Sequence, residues 1–260
     1  MKTRLFFAVI CIALPIFINA QESPDTVSYI HITDTHICHL SPYHPLIGEK
    51  RRHFGKGIEP LVHFFRSVPK RFQSDFVVVT GDMIDYYEAE TVTEDMRQTE
   101  VEQFVRCLNV STVPVYMALG NHDVSSYYVD YEHGYDASQH NAGQARAAWI
   151  RNAACFRDGT YYSRKLQVDN TVYRLIFLDN AYYLPERDET DPPYLIDQYQ
   201  LLWLDNELNK ADDDVEIIFM HMPLIGGFGT EDHERGQIVK STLRDAKCDL
   251  CNVLEKNSTA

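Results

Sequence analysis

Four short clusters combine acidic, imidazole and amide side chains: Asp34-Thr-His36, Gly81-Asp82-Met-Ile-Asp85, Gly120-Asn121-His122-Asp123 and His221-Met-Pro223. Carboxylates, imidazoles and an Asn carbonyl make a mixed oxygen and nitrogen donor set without thiolate. Such a set suits Mn²⁺, Zn²⁺ or Fe better than Cu(I) or an iron–sulfur cluster. Two such ions about 3.5–4 Å apart bind phosphate oxygens, generate hydroxide and neutralise charge in a transition state. This chemistry requires a bridging carboxylate, and an Asp beside a Gly at a strand end can approach closely. Taken singly each cluster is weak: Asp-x-His occurs by chance, Gly-Asp-x-x-Asp is also an ordinary turn, and His before Pro is often structural. The signal lies in their order, each just after an apolar run.

Those runs are Val27–Thr33, Phe76–Thr80, Val113–Leu119, Val172–Leu178 and Val215–Met220. Each is short and rich in Val, Ile, Tyr or Phe, as expected of strands buried on both faces. Amphipathic stretches separate several of them. Thr91-Val-Thr-Glu94 has the spacing of a capping box and predicts a helix through about Leu108. Asp197-Gln-Tyr-Gln200 opens another, with Tyr199, Leu202, Trp203 and Leu208 read as its core stripe. A further helix is expected from about Glu234 to Cys248. Alternating strands and helices imply α/β layers, with ligands from several strand ends meeting at one sheet edge. Val124–Ala145 and Tyr182–Ile196 break the rhythm and read as long loops over the site.

In this order the clusters resemble the calcineurin-like metallophosphoesterase superfamily, whose members hold a binuclear metal centre, over roughly residues 27–225. Gln198 with Trp203-Leu204 is similar too. The resemblance implies an α/β fold, a four-layer α/β/β/α sandwich, and two divalent or mixed-valence ions such as Mn, Zn or Fe. It implies that Asp34 and His36 bind one ion, that Asp82 bridges, and that Asn121 and His221 bind the other. His122 would touch the phosphate and protonate the leaving group, held by Asp85, while hydroxide on the metals attacks phosphorus. A carboxylate beside an imidazole favours the charged form a general acid needs. Asp123 would support the ligands. The family pattern closes with Gly-His-x-His, and none follows His221. The chain is therefore expected to be truncated before that motif, the alternative being a natural short variant. The nearby Asp232 and His233 read as exposed loop residues rather than substitutes.

The function that follows is hydrolysis of a small phosphate mono- or diester. The alternative is a non-catalytic metal- or ligand-binding protein on the same fold. Residues 1–20 have the basic start, apolar middle and small-residue end of a signal peptide, leaving 21–260 as one metallophosphoesterase domain in a secreted or periplasmic protein. No later segment is apolar and long enough to span a bilayer. Losing Lys2 and Arg4 takes the net charge from −14 to −16, which disfavours long nucleic acid as a partner and a nuclease as the activity. Cleavage leaves an odd set of thiols, Cys38, Cys107, Cys155, Cys248 and Cys251. The last two form a local disulfide or remain free. Asn109 and Asn257 open glycosylation sequons. His31 is expected to be buried with one hydrogen bond; His39, His44 and His53 read as solvated loop residues, the alternative being a pocket lining, and Arg51-Arg52 as a charged turn, the alternative being attraction of an anionic substrate. Tyr127, Tyr128, Tyr131 and Tyr135 are loop packing or an aromatic wall for a substrate ring.

Overall fold

The computed structural model describes residues 26–183, 194–210 and 214–222. In chain order the elements are β1 (Tyr29–Ile32), α1 (Pro45–Arg51), α2 (Ile58–Arg71), β2 (Phe76–Thr80), β3 (Glu88–Glu90), β4 (Met96–Arg97) and α3 (Glu100–Leu108). They continue with β5 (Val115–Ala118), β6 (Ser126–Asp130), β7 (Gly134–Ser138), α4 (Ala142–Asn152), β8 (Tyr162–Val168) and β9 (Thr171–Phe177). Then come β10 (Tyr182–Tyr183), β11 (Tyr194–Leu195), α5 (Gln198–Leu208) and β12 (Asp214–Phe219).

All five apolar runs form strands. Parallel β1, β2 and β5 make one sheet, and β12, β9 and β8 another in which β12 runs parallel and β8 antiparallel to β9. Alternation along β9 divides its side chains between two cores. Leu175 and Phe177 join the larger cluster with Phe76, Val79 and Met117, whereas Ile176 and Leu178 pack with Leu201 and Leu204 of α5. Between the sheets, Phe177 stacks on Tyr162 and Phe219 at 4.7 and 5.0 Å and reaches Tyr116 at 5.8 Å. Phe65 of α2, Phe104 of α3 and Trp149 of α4 contact one another in series and complete the larger core. Four layers result: helices, sheet, sheet, helix. Each fully buried Phe or Leu contributes about 1.5–3 kcal/mol.

The elements depart from the expected ones in four places. β1 is half exposed, because among the described residues it has a neighbour on one side only. The Thr91–Glu94 box caps no helix. Thr91 Oγ1 accepts from Thr93 N–H and Thr91 N–H donates to the Asp95 carbonyl, so the segment turns between β3 and β4, and α3 begins at Glu100. Short hydroxyl side chains that bond nearby backbone compete in this way with helix formation. Residues 124–145 are not one loop: β6 and β7 form a hairpin paired to β3, and α4 starts within the segment. Finally, α5 starts where expected, with Asp197 accepting from Tyr199 and Gln200 N–H, but Leu201 and Leu204 face the core while Tyr199 and Leu202 are exposed. The 182–196 loop is described only at its ends, where β10 pairs with β11. Residues 1–20, the helix expected over 234–248, Asp232, His233, Cys248, Cys251 and Asn257 lie outside the described residues. Among those residues Cys38, Cys107 and Cys155 are buried thiols, and no helix is long and apolar enough to cross a membrane.

Glu100, at the start of α3, is wholly buried and accepts from His39 N–H, from the Tyr43 hydroxyl and from Thr99 Oγ1. Burial outweighs these donors, and with Asp85 nearby it lifts the carboxyl from 4.5 to about 7. The folded chain therefore binds more protons than the unfolded chain between these values. Stability contributed here is present at low pH and lost as pH rises from about 4.5 through 7, by roughly 3 kcal/mol. Melting curves across this range should be flatter for Glu100→Gln than for the unmodified chain. Parallel curves would show that Glu100 stays ionised throughout.

Candidate metal centre

The ligand-bearing turns are held by a ladder that outlasts the strands. Beyond the ends of β1 and β2, Asp34 N–H donates to Gly81 O at 3.1 Å, His36 N–H to Asp82 O at 2.9 Å and Asp85 N–H to Ile37 O at 3.0 Å. Asp34, His36 and Asp82 all adopt positive φ, at 56°, 42° and 48°. Each such non-glycine residue costs on the order of 1 kcal/mol or more, a strain that concentrates at functional sites. Here it turns three donor side chains toward one space. The flanking glycines make the approach possible. A Cβ on Gly120 would collide with the carboxylate and backbone nitrogen of Asp82, and one on Gly81 would lie 2.6 Å from the His221 ring.

Donor atoms of Asp34, His36 and Asp82 lie within 4.8 Å of one another. Asp82 Oδ2 is 3.5 Å from His36 Nε2 and 3.3 Å from His221 Nε2, so one carboxylate oxygen lies between two imidazoles. His221 Nδ1 lies 2.8 Å from the Thr80 carbonyl, which can only accept. The proton is thus on Nδ1, and Nε2 is left to face Asp82. Nδ1 of His36 is buried without a hydrogen-bond partner, 3.5 Å from Asp85 Oδ1. Burial lowers the proton affinity of His36 and His221, but Asp34, Asp85 and Asp82 for the first, and Asp82 for the second, raise each to about 9. The hydrogen bond to His36 is the main cause holding Asp34 down at about 2. Concentrated negative charge facing the Nε2 atoms of two imidazoles fits divalent cations, which Asp34, His36, Asp82 and His221 could hold. Asn121 follows Gly120 on the same turn, and its backbone carbonyl accepts from Ser125 Oγ and Gln139 Nε2.

Asp123 binds no donor of that cluster. It is wholly buried and accepts from the backbone N–H groups of Gly120, Met83 and Ile84, tying the second turn to the third. Burial and the Asp82 charge push its carboxyl up to about 7 against those donors. Gly120→Ala tests this close packing. It should lose bound metal and about 1–3 kcal/mol of stability. A variant with ordinary melting and metal content would mean that Asp82 does not rest against Gly120.

His122 donates its backbone N–H to Asp82 Oδ1 at 2.9 Å. Its Nδ1 is 2.9 Å from the backbone carbonyl of Asp85 and 3.0 Å from the Tyr127 hydroxyl, but 3.8 Å from the Asp85 carboxylate. Asp85 thus holds His122 through its main chain. Its carboxylate is engaged by Arg51, whose Nε and Nη2 bind the two oxygens. The sequence offers Arg51 as part of a charged turn or as an attractor of anionic substrate but conceals this pairing, since nothing local links it to an Asp 34 positions later. Arg52, by contrast, is exposed. Asn180 is similarly unannounced, clamping Met222 beside His221 by two hydrogen bonds of 2.7 and 3.0 Å. Neighbouring Asp179 accepts from Arg146 and Thr160 and is bracketed by Gln200.

The remaining candidates divide. His31 has one bond, to Thr80 Oγ1 at 2.7 Å, but is exposed rather than buried. His44 is no loop residue; its Nδ1 caps α1. His39 and His53 are exposed. Tyr127 is buried and stacks on Tyr135 at 4.5 Å, whereas Tyr131 is exposed.

Residues 27–251 match the calcineurin-like phosphoesterase family. This chain belongs to that family. As a calcineurin-like phosphoesterase it shares 26% identity over 159 residues, 57% of its length, with mouse acid sphingomyelinase-like phosphodiesterase 3b. The match spans 34% of the mouse protein, about a third. Among solved structures it resembles a dimetal phosphatase from Danio rerio, with a TM-score of 0.49 and 14% identity over 86% of this chain and 78% of that one.

Proposed function

We propose that this chain is an exported, metal-dependent hydrolase of phosphate mono- or diesters. The reading is carried by Asp82 Oδ2 lying 3.5 and 3.3 Å from His36 Nε2 and His221 Nε2, the disposition a bridging carboxylate needs. Asp34, His36, Asp82, Asn121 and His221 would hold two divalent or mixed-valence ions, such as Mn, Zn or Fe. Bound there, such ions supply Lewis acidity toward phosphate oxygens and toward water. His122 does the proton work. The Asp85 carbonyl accepts from Nδ1–H and fixes the tautomer, so Nε2 is the atom that delivers a proton to the departing oxygen. Tyr127 adds a second contact at Nδ1 and limits rotation of the ring.

The apolar stretch in residues 1–20 supports export, and the acidic surface supports a small ester over long nucleic acid. The mouse relative is named a phosphodiesterase, which brings diesters into consideration beside monoesters. The experiment is metal analysis of the purified chain together with turnover of 4-nitrophenyl phosphate and its bis-ester, with and without chelator. Bound metal with chelator-sensitive turnover supports the hydrolase. Absence of both metal and turnover defeats it in favour of a non-catalytic binding protein.

A further inference from the structure

Arg51 occupies a position that the hydrolase reading does not require. Its side chain is 14% exposed, and its guanidinium engages both oxygens of Asp85, which is wholly buried. Nη1 donates to the Tyr135 hydroxyl at 3.1 Å. The same guanidinium lies over the Phe54 ring at 4.4 Å and near Tyr127 and Tyr135 at 5.6 Å. Phe54 in turn covers the His36 ring at 5.0 Å, and Tyr127 bonds His122. One cation therefore ties α1 to the β6–β7 hairpin and touches the immediate neighbours of His36 and His122.

The distances give this arrangement a consequence. With both oxygens directed to Arg51, Asp85 Oδ1 stays 3.5 Å from His36 Nδ1 and 3.8 Å from His122 Nδ1, beyond hydrogen-bond range for each. His122 keeps the backbone carbonyl as its partner. Resting on the proposed hydrolase mechanism, we infer that Arg51 is a positioning residue for proton delivery: it restrains the Asp85 carboxylate so that His122 is not drawn out of place. Without the guanidinium, a buried carboxylate lacks a partner. The His122 imidazole lies 3.8 Å away, and turning toward the carboxylate displaces its Nε2 from its working position.

The full metal-loaded chain is compared with Arg51→Met, Arg51→Lys and the double variant Arg51→Met with Asp85→Asn. Outer partners of site residues are worth roughly 10- to 100-fold in activity. Arg51→Met is expected to lose that much kcat on an alkyl phosphate, whose leaving group needs a proton. It should lose far less on 4-nitrophenyl phosphate, whose leaving group does not, with KM and metal content close to wild type. Adding Asp85→Asn removes the unpaired charge and should restore part of the loss. Equal losses on both esters, wild-type turnover, or no recovery in the double variant overturn the proposal.

If the unmodified chain turns over neither ester, the hydrolase reading fails and Arg51 is judged by imidazole ¹⁵N spectra of metal-free protein. The His122 Nδ1 resonance should shift in Arg51→Met, or in Arg51→Lys if the first variant does not fold. An unchanged resonance overturns the positioning role.

Discussion

Asp82→Ala should strip the site of both metal ions and abolish metal-dependent turnover. The carboxylate faces His36 and His221 through one oxygen and accepts the His122 backbone N–H through the other. Desolvation opposes its charge, yet the imidazoles of His221 and His122 and the His122 N–H hold its proton affinity below the usual range. Alanine leaves His36 and His221 without the anion between them and removes the hydrogen bond that sets the third turn. The loss should exceed the roughly 100-fold that follows removal of an outer partner of a metal ligand. Metal content decides it. A variant that retains two ions per chain contradicts the bridging role, whatever its activity.

His122→Ala should separate chemistry from binding. The imidazole is not among the proposed ligands; its Nδ1 is committed to the Asp85 carbonyl and the Tyr127 hydroxyl. General-acid catalysis contributes typically 10²–10⁴-fold, so a kcat loss of that order is expected while metal content stays normal. The loss should be largest for esters with poor leaving groups. If metal leaves with the side chain, His122 is a ligand and the assignment is wrong. Some structural change accompanies any variant here, because the ring meets His36 edge-on at 4.6 Å. Comparing His122→Ala with His122→Gln controls for it: both should have similar melting temperatures and similar losses.

The strands and the donor turns were legible because their signals are local. Three consecutive Val residues in β2 bury completely wherever a parallel sheet places them, and the Gly-Asp and Gly-Asn-His turns follow directly in sequence. Local competition was harder to see. Thr91 and Thr93 bond each other and nearby backbone, so a plausible capping box becomes a turn between β3 and β4. In α5 the cap at Asp197 was readable, but its buried face was not, since Tyr199, Leu201, Leu202 and Leu204 are all apolar and only the second sheet selects among them.

By itself, then, the sequence determined which side chains are available for chemistry, the order in which strands present them, and the family to which they belong. Tertiary structure alone decided their partners. It set Arg51 rather than His122 against the Asp85 carboxylate, placed Tyr127 at His122 Nδ1, and used Asn180 to hold the His221 turn. Arg51 and Asp85 are separated by 34 positions, and Asn180 and Met222 by 42. Pairings at that range depend on how layers stack and where a helix docks, and no local period or motif encodes them.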